Sequence, residues 1–380
     1  MRQRAGPSFR LTTSPQDLPF LKRAFRLARR GLGRTSPNPM VGAVLVKNGK
    51  VIGQGWHHRA GGPHAEIEAL RAAKEDPAGA TLFVTLEPCC TRGRTPPCTE
   101  AIIAARLKRV VVAALDPNPA HCGKGLSLLR RAGIRVSQGL LQEKDLLLNE
   151  TFRHWIVQGA PFVTVKAALS LDGRIATRAG QSRWITGPQA RACAMTLRTG
   201  ADAILVGVNT IIQDDPRLTL RAPGFHSKLL RRLVLDPSAR IPLRSKVVTD
   251  KFAPWTTVVT TRAAPPRRLA ALRRRVQVLR APVRDGGIDL PWLLRKLGRD
   301  QVTSLLVEGG GETNASFLLR GLANRVAFFY APMVLGGRGA ARAVAGRGLP
   351  DLAHRIALRE VRWRRLGADL LLTGRIAPAA

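Results

Sequence analysis

Residues 64–98 read HAEIEALRAAKEDPAGATLFVTLEPCCTRGRTPPC, and the order of features in this stretch decides the fold. His64-Ala65-Glu66 follows the breaker Gly61-Gly62-Pro63 and opens a helical pattern that runs to Lys74. Thr81 to Leu86 is a short, β-rich apolar run, and Glu87-Pro88-Cys89 stands at its end. A helix feeding a buried strand whose end carries reactive side chains is the grammar of an α/β domain, in which sites are built at strand ends and helix starts.

Outward from that stretch the same alternation continues. Toward the N-terminus, Pro19 to Gly31 carries apolar residues at helical spacing. Val41 to Val46 and Val51 to Gly53 flank Asn48-Gly49, a hairpin signal. Toward the C-terminus, a helix is predicted over 98–105, a strand over 109–115, a helix over 126–132 and a strand over 134–136, with a helix-rich connector over 140–155. A second series begins with a strand over 162–168, a helix over 187–199 and a strand over 203–206. It continues with strands near 232–235 and 256–260 and closes with a strand over 304–307, a helix over 314–322 and strands over 325–330 and 369–373. Segments 223–227 and 262–268 read as exposed loops. The predicted organisation is a basic flexible tail over 1–18, one domain over 19–150 and a second over 151–380.

Composition narrows the function. The 380 residues suffice for two domains of ordinary size, and 45% apolar with 23% charged residues supports substantial cores. No apolar run approaches the roughly 20 residues of a membrane span. The net charge of +37 comes from 62 basic against 25 acidic residues, and 50 of the basic ones are arginine. They are spread among abundant Ala, Gly and Pro, and aromatics are only 5%, so the interleaving of cations and stacking rings that single-strand binders use is missing. This argues for an anionic, phosphorylated small substrate and against a nucleic-acid partner. The five cysteines are odd in number and three lie between 89 and 98, which suits a metal site in a reducing, cytoplasmic setting rather than a disulfide framework.

One imidazole and two thiolates make a three-ligand zinc site with a fourth position open to water. Zinc lowers the pKa of that water to about 7, and Glu66, two residues from His64, is placed to shuttle its proton, as in zinc nucleobase deaminases. The usual thiol spacing there is Pro-Cys-x-x-Cys, whereas Cys89 and Cys98 are separated by eight residues rich in Gly and Pro. The string Glu87-Pro-Cys-Cys-Thr-Arg-Gly-Arg-Thr-Pro-Pro-Cys98 closely resembles the deaminase half of the bifunctional riboflavin-biosynthesis deaminase/reductase family. That resemblance implies His64, Cys89 and Cys98 as zinc ligands and Glu66 as the catalytic acid/base, with Cys90, Cys122 and Cys193 left as ordinary buried thiols. It extends to Pro37-Asn38-Pro39, Gly55-Trp56-His57 and Asp116-Pro117-Asn118-Pro119, implying Asn38, His57, Arg94 and Asn118 as substrate contacts. The family often has histidine where this chain has Thr91.

No G-x-G-x-x-G follows a strand, so a Rossmann site is unsupported. Glu308-Gly309-Gly310-Gly311-Glu312-Thr313-Asn314 lies instead between a β-rich run and a helix, where free N–H groups can cradle phosphate. Together with Lys166-Ala-Ala-Leu-Ser170 and Ser182-Arg-Trp184 it resembles the family's reductase half, which is similar to dihydrofolate reductase in fold and uses NADPH. The resemblance implies cofactor contacts at Ala168, Trp184, Thr210, Asp214 and along Gly310, Gly311, Glu312, Thr313, Asn314, Ala315 and Ser316. It implies substrate contacts at Lys166, Ser182, Arg198, Leu218, Arg221 and Glu308. Arg198 and Arg221 suit a phosphate, and Asp214 and Glu308 suit ribose hydroxyls.

The fold expected from these resemblances is α/β: an N-terminal cytidine-deaminase-like three-layer domain followed by a dihydrofolate-reductase-like domain. The implied activity is zinc-dependent hydrolytic deamination of a phosphorylated ribosylaminopyrimidine, then NADPH-dependent reduction of its ribosyl group. The sequence is compatible with a homo-oligomer. The alternative is a nucleic-acid or nucleoside base deaminase fused to an unrelated reductase, encouraged by the charge and the His-Ala-Glu pattern.

Overall fold

The structure, a computed structural model, describes residues 14–93, 96–221 and 228–378. The chain divides into two compact units between Gln158 and Gly159.

In the first unit the apolar strands alternate their side chains between two helical layers. Its elements are α1 (Leu18–Ala28), β1 (Gly42–Lys47), β2 (Lys50–Trp56), α2 (Ala65–Arg71), β3 (Thr81–Leu86), α3 (Cys98–Ala104), β4 (Arg109–Ala114), α4 (Lys124–Arg131), β5 (Arg135–Gln138), α5 (Gln142–Leu148) and α6 (Glu150–Gln158). The sheet order is β2-β1-β3-β4-β5. β1 is antiparallel to β2 and β3, and β3, β4 and β5 run parallel. Leu45, Leu82, Val84, Val110 and Val112 meet α2, α3 and α4 through Ala69, Ile102 and Leu129. Their chain neighbours Val44, Phe83, Val111 and Ala113 meet Leu21, Ala24 and Phe25 of α1 on the opposite face. A sheet buried on both faces needs apolar residues at consecutive positions, which is why these strands read as unbroken runs. Close packing demands a glycine at Gly42, where a Cβ would stand 2.0 Å from the carbonyl oxygen of Ala24. This is the three-layer architecture expected for the first half.

Two boundary expectations need correction. Residues 14–18 are not a flexible tail. Ser14 and Asp17 form a reciprocal capping box, and buried Asp17 takes a bidentate pair from Arg109 at 2.9 and 2.8 Å. The helices α5 and α6 are likewise part of the first unit rather than a connector cut at 150. Asn149 receives the Met40 N–H on Oδ1 at 2.8 Å and donates to the Met40 carbonyl at 3.0 Å. Arg153 reaches the Leu115 carbonyl at 3.3 Å and Asp145 at 3.2 Å. These bonds tie the C-terminal helices to the loops before β1 and after β4.

The second unit comprises β6 (Phe162–Ser170), β7 (Arg174–Ala176), α7 (Pro188–Gly200), β8 (Ala203–Gly207), α8 (Val208–Asp214), β9 (Arg231–Leu235), α9 (Lys246–Thr249), β10 (Thr256–Thr260), α10 (Pro266–Arg273) and β11 (Gln277–Arg280). It continues with β12 (Val283–Arg284), β13 (Gly287–Ile288), α11 (Leu290–Arg299), β14 (Ser304–Val307), α12 (Gly311–Leu318), β15 (Arg325–Ala331), β16 (Ala341–Arg342), β17 (Leu358–Leu366) and β18 (Asp369–Ile376). The main sheet has nine strands in the order β11-β10-β9-β8-β14-β6-β15-β18-β17. From β11 to β15 neighbours are parallel, and β18 and β17 close the edge antiparallel. Val165, Leu205, Leu233, Leu305 and Val307 face α11 and α12 on one side. Ile204, Val206, Val234, Val258 and Leu306 face α8, α9 and α10 on the other. The chain runs from β8 outward to β11 and returns to insert β14 between β8 and β6. The loops after β8 and β14 therefore part at neighbouring strand ends, where open α/β sheets place their ligands.

The loop expected over 262–268 is in part helical, because Pro265-Pro266 supplies an extended cap and a first-turn proline that start α10. The other expected loop, 223–227, lies outside the described residues.

One arginine is a core residue. Arg232 is 1% exposed and directs its guanidinium at four residues through five hydrogen bonds. Nε bonds Thr256 Oγ1 at 2.9 Å, Nη1 bonds the Arg217 carbonyl at 2.9 Å and Asp250 at 2.8 Å, and Nη2 bonds the Val247 carbonyl at 3.1 Å and Asp250 at 2.8 Å. All five N–H donors are satisfied, the condition for burying this group. Arg232→Ala strands the Asp250 carboxylate and is expected to cost roughly 3–5 kcal/mol in urea unfolding of the second unit; an unchanged midpoint would refute the assignment.

Candidate active sites

Three loop-and-helix junctions of the first unit converge on one point. His64 is the extended residue that precedes α2, Cys89 follows β3, and Cys98 is the first residue of α3. Their donor atoms lie within 4.8 Å of one another. His64 Nδ1 stands 3.4 Å from Cys89 Sγ and 3.3 Å from Cys98 Sγ. The start of α3 is docked on Cys89, whose sulfur accepts the Cys98 N–H at 3.3 Å and whose carbonyl accepts the Thr99 N–H at 3.2 Å. Hydrogen bonds from Cys98 and His64 hold the Cys89 thiol below its usual range, against the opposing effect of burial. A thiolate, a second thiol and an imidazole in one cluster are the donor set zinc selects, so the residues fit the metal.

Glu66 sits in the first turn of α2, 3% exposed. Burial raises its carboxyl to about 7, while His64 pulls the other way. An acid with a pKa near neutrality beside a metal cluster can both take and give a proton.

His57 and Asn38 form a fixed pair beside the cluster. His57 Nδ1 is 2.9 Å from the Pro63 carbonyl, so it carries the proton, and Nε2 at 3.1 Å accepts from Asn38 Nδ2. Burial lowers the pKa of this imidazole, and its ring meets that of His64 edge-on at 5.3 Å. The neutral histidine thus orients the Asn38 amide, leaving its oxygen for a ligand. Asn118 commits its Oδ1 to the Ala120 N–H at 3.0 Å. Arg94 lies outside the described residues.

A residue the sequence reading passed over organises these loops. The buried Glu87 carboxylate accepts four backbone N–H groups: Asp116 at 3.2 Å, Gly123 at 2.9 Å, Gly125 at 3.0 Å and Leu126 at 3.4 Å. It fixes the loop after β4 and the start of α4 against the strand end that carries Cys89. An acidic residue directly after a buried strand was the available signal. The thiols expected to be buried are not: Cys122 is exposed, and Cys90 and Cys193 are only partly covered. Cys122 lies in the turn before α4, outside the apolar layers.

In the second unit a cavity of about 810 Å³ opens at the ends of β6, β8, β9 and β14. It is lined by every expected substrate contact, Lys166, Ser182, Arg198, Leu218, Arg221 and Glu308, and by Ala168, Trp184, Thr210 and Asp214. Of the glycine-rich stretch, Gly310, Gly311, Glu312 and Thr313 line it. Asn314, Ala315 and Ser316 do not, because they lie a turn into α12. Asn314 is buried and donates to the Ala343 carbonyl at 2.8 Å, Ala315 is buried, and Ser316 Oγ donates to the Thr313 carbonyl at 2.8 Å.

The fit to a phosphate-bearing cofactor rests on backbone. Asn314 N–H is the first to close on Gly310, so the amides of Gly311, Glu312 and Thr313 have no intrahelical acceptor. A Cβ at Gly310 would meet open space, whereas one at Gly309 would stand 2.4 Å from Thr313 Cβ. The strand end is thereby kept bare of side chains facing the cavity.

Glu308 is the electrostatic centre of this cavity. Arg198 grips it bidentately, Nε and Nη2 each at 2.9 Å, and Lys166 Nζ stands at 3.9 Å. Burial pushes this carboxyl up, but Arg198 and Lys166 outweigh it and hold the pKa at about 2. Arg198 also donates to the Thr219 carbonyl at 2.9 Å, so its guanidinium is largely committed inside the protein. Arg221 and Arg217 also line the cavity, and the side chains of both have no partner among the described residues. Ser182 Oγ donates to Asp214 at 2.8 Å, and the Arg191 guanidinium covers the exposed Trp184 ring at 4.5 Å. Asn209, Arg240 and Lys246 also line the cavity; among 50 arginines no sequence signal distinguished Arg240.

Comparison with known proteins matches both halves separately. Residues 14–114 match the cytidine and deoxycytidylate deaminase zinc-binding region, and residues 161–372 match the RibD C-terminal domain. The riboflavin biosynthesis protein RibD of Aquifex aeolicus is 44% identical over 94% of this chain and 97% of its own length. That of Escherichia coli is 39% identical over 94% and 98%. Among solved structures, Acinetobacter baumannii RibD superposes with a TM-score of 0.85 at 36% identity, covering 96% of this chain and 99% of that one. A Thermotoga maritima protein described as a diaminohydroxyphosphoribosylaminopyrimidine deaminase/5-amino-6-(5-phosphoribosylamino)uracil reductase gives 0.80 at 34% identity, covering 95% and 99%. A deaminase joined to an unrelated reductase is thereby set aside. Matched in both halves and along nearly its whole length, the chain belongs to the RibD family of riboflavin biosynthesis proteins.

Proposed function

We propose that the two units catalyse successive steps on one phosphorylated pyrimidine. The first removes the 2-amino group of 2,5-diamino-6-(5-phosphoribosylamino)pyrimidin-4(3H)-one, exchanging the C–N bond for C=O and releasing ammonia. The second reduces the ribosyl group of the resulting 5-amino-6-(5-phosphoribosylamino)uracil to ribityl. The observation that carries this reading is the convergence of His64, Cys89 and Cys98 beside the buried Glu66 carboxylate.

Zinc held by His64, Cys89 and Cys98 supplies a water acidic enough to act as a nucleophile at neutral pH. Glu66 takes a proton at its carboxylate and returns it to the leaving amine, the two halves of general acid/base catalysis. Asn38, oriented by His57, holds the ring edge. Its carbonyl oxygen is the end of the amide turned from His57, and an oxygen there accepts from the ring N–H or amine.

In the second unit NADPH supplies the hydride. The amides at the start of α12 would hold its phosphates, with Trp184, Thr210, Asp214 and Ala168 on the walls of the same cavity. Glu308, held ionised by Arg198 and Lys166, hydrogen-bonds ribosyl hydroxyls, and Lys166 stands where it can polarise the sugar carbon that accepts the hydride. Arg221 pairs with the 5′-phosphate. The protein aligns cofactor and sugar, and the reduction itself belongs to the cofactor.

Glu66→Gln is expected to reduce ammonia release by about 10²–10⁴-fold with zinc per chain unchanged and NADPH oxidation on deaminated substrate intact. Loss of both activities would contradict two separate sites. Cys98→Ser is expected to lose zinc and ammonia release together, again sparing the reductase, and full zinc content by elemental analysis would refute that ligand. In the reductase, Glu308→Gln leaves Arg198 without its charge partner; kcat/KM for the deaminated substrate should drop by roughly tenfold or more while deamination is unaffected. An unchanged reductase would remove Glu308 from the site.

A further inference from the structure

His121 lies outside every motif singled out above. It lies in the loop between β4 and α4, three residues beyond Asn118, and its Nδ1 is 3.5 Å from Thr91 Oγ1 and 3.9 Å from Cys90 Sγ. Those two residues follow Cys89 directly in the chain. The imidazole is half-buried, and among the described residues its far nitrogen, Nε2, has no partner.

The ring is carried on a rigid support. The His121 N–H donates to the Asn118 carbonyl at 2.9 Å, and its own carbonyl accepts the Lys124 N–H at 2.8 Å. Glu87 clamps the loop on both sides through the Asp116 and Gly123 amides. A half-exposed imidazole with one nitrogen turned to a protein wall and the other unpartnered is prepared to bind a polar ligand.

The topology indicates which part of the ligand. Asn38 precedes β1 and His57 follows β2, Cys89 follows β3, and His121 follows β4. In the sheet order β2-β1-β3-β4, with β1 antiparallel to β3, all of these positions fall at one end of the sheet. Asn38 and His57 lie on one side of Cys89 and His121 on the other. A ligand held at the cluster and against Asn38 has His121 on its other side, at the β4 end of the row.

We propose that His121 is a substrate-binding residue of the deaminase half, hydrogen-bonding the phosphoribosyl arm through its far ring nitrogen. The inference rests on the deaminase reading above. It also bears on Thr91. At 3.5 Å from the His121 ring, position 91 borders the same space, and an imidazole there would enter it.

The experiment is ammonia release measured against concentration of the phosphorylated diaminopyrimidine for the wild-type chain, His121→Ala, and the double variant His121→Ala/Thr91→His. The loss of one charge-assisted hydrogen bond is expected to raise KM about tenfold or more in His121→Ala, with zinc content and reductase turnover on deaminated substrate held. The double variant, which returns an imidazole from the opposite wall, is expected to recover most of the lost KM. An unmoved KM in His121→Ala overturns the proposal. So does a raised KM that the double variant leaves unrepaired, since a structural role for His121 would not be rescued from position 91. A wild-type chain that releases no ammonia refutes the deaminase reading itself, whereas an active wild type with an indifferent His121→Ala refutes this inference alone.

Discussion

Three ligands from three separate chain segments can meet only if the segments are fixed more tightly than thermal motion would leave them. In this protein the segment that carries Cys89 is fixed by the Glu87 carboxylate with its four backbone N–H bonds. A buried carboxylate is stable when donors surround it, and here every donor comes from the loop after β4 or the start of α4. The strand end that delivers Cys89 and the loop that delivers Asn118 and His121 thus become one rigid body. The docking of α3 on Cys89 completes the frame by bringing Cys98 back across the eight-residue excursion.

The second unit applies the same logic with a different chemistry. There the organising pair is Glu308 with Arg198, a buried acid kept ionised by a bidentate guanidinium and by Lys166. A charge held in place at the floor of a cavity, rather than solvated, costs little reorganisation when a polyhydroxy substrate arrives. The amides at the start of α12 are left without intrahelical acceptors, so on the proposed reading a ligand phosphate would be met by backbone dipoles as well as by side chains.

Much of this was legible in the sequence, for physical reasons. Strands such as Thr81–Leu86 and Ser304–Val307 are buried on both faces and announce themselves as apolar runs. The metal ligands could be read because His-Ala-Glu at a helix start and Pro-Cys at a strand end are chemically rare combinations. Other elements were illegible for equally physical reasons. β17, Leu358–Leu366, is an edge strand exposed along most of its length and rich in arginine, so it shows no alternation. The helix α10 was hidden by a Pro/Arg-rich start that resembles a loop. Arg232 and His121 act through contacts with segments distant in the chain, and no local pattern marks such residues. The arginine-rich composition concealed Arg232 most thoroughly, since one buried guanidinium looks like any of its exposed neighbours.

The central claim is a metal bound by one nitrogen and two sulfurs with a position left for water, and X-ray absorption at the zinc edge of the full-length protein reads that shell directly. The account predicts one zinc per chain with two sulfurs at about 2.3 Å and the remaining scatterers, nitrogen and oxygen, at about 2.0–2.1 Å. A shell of four protein ligands with no oxygen, or a chain purified with zinc in excess that retains none, would contradict it.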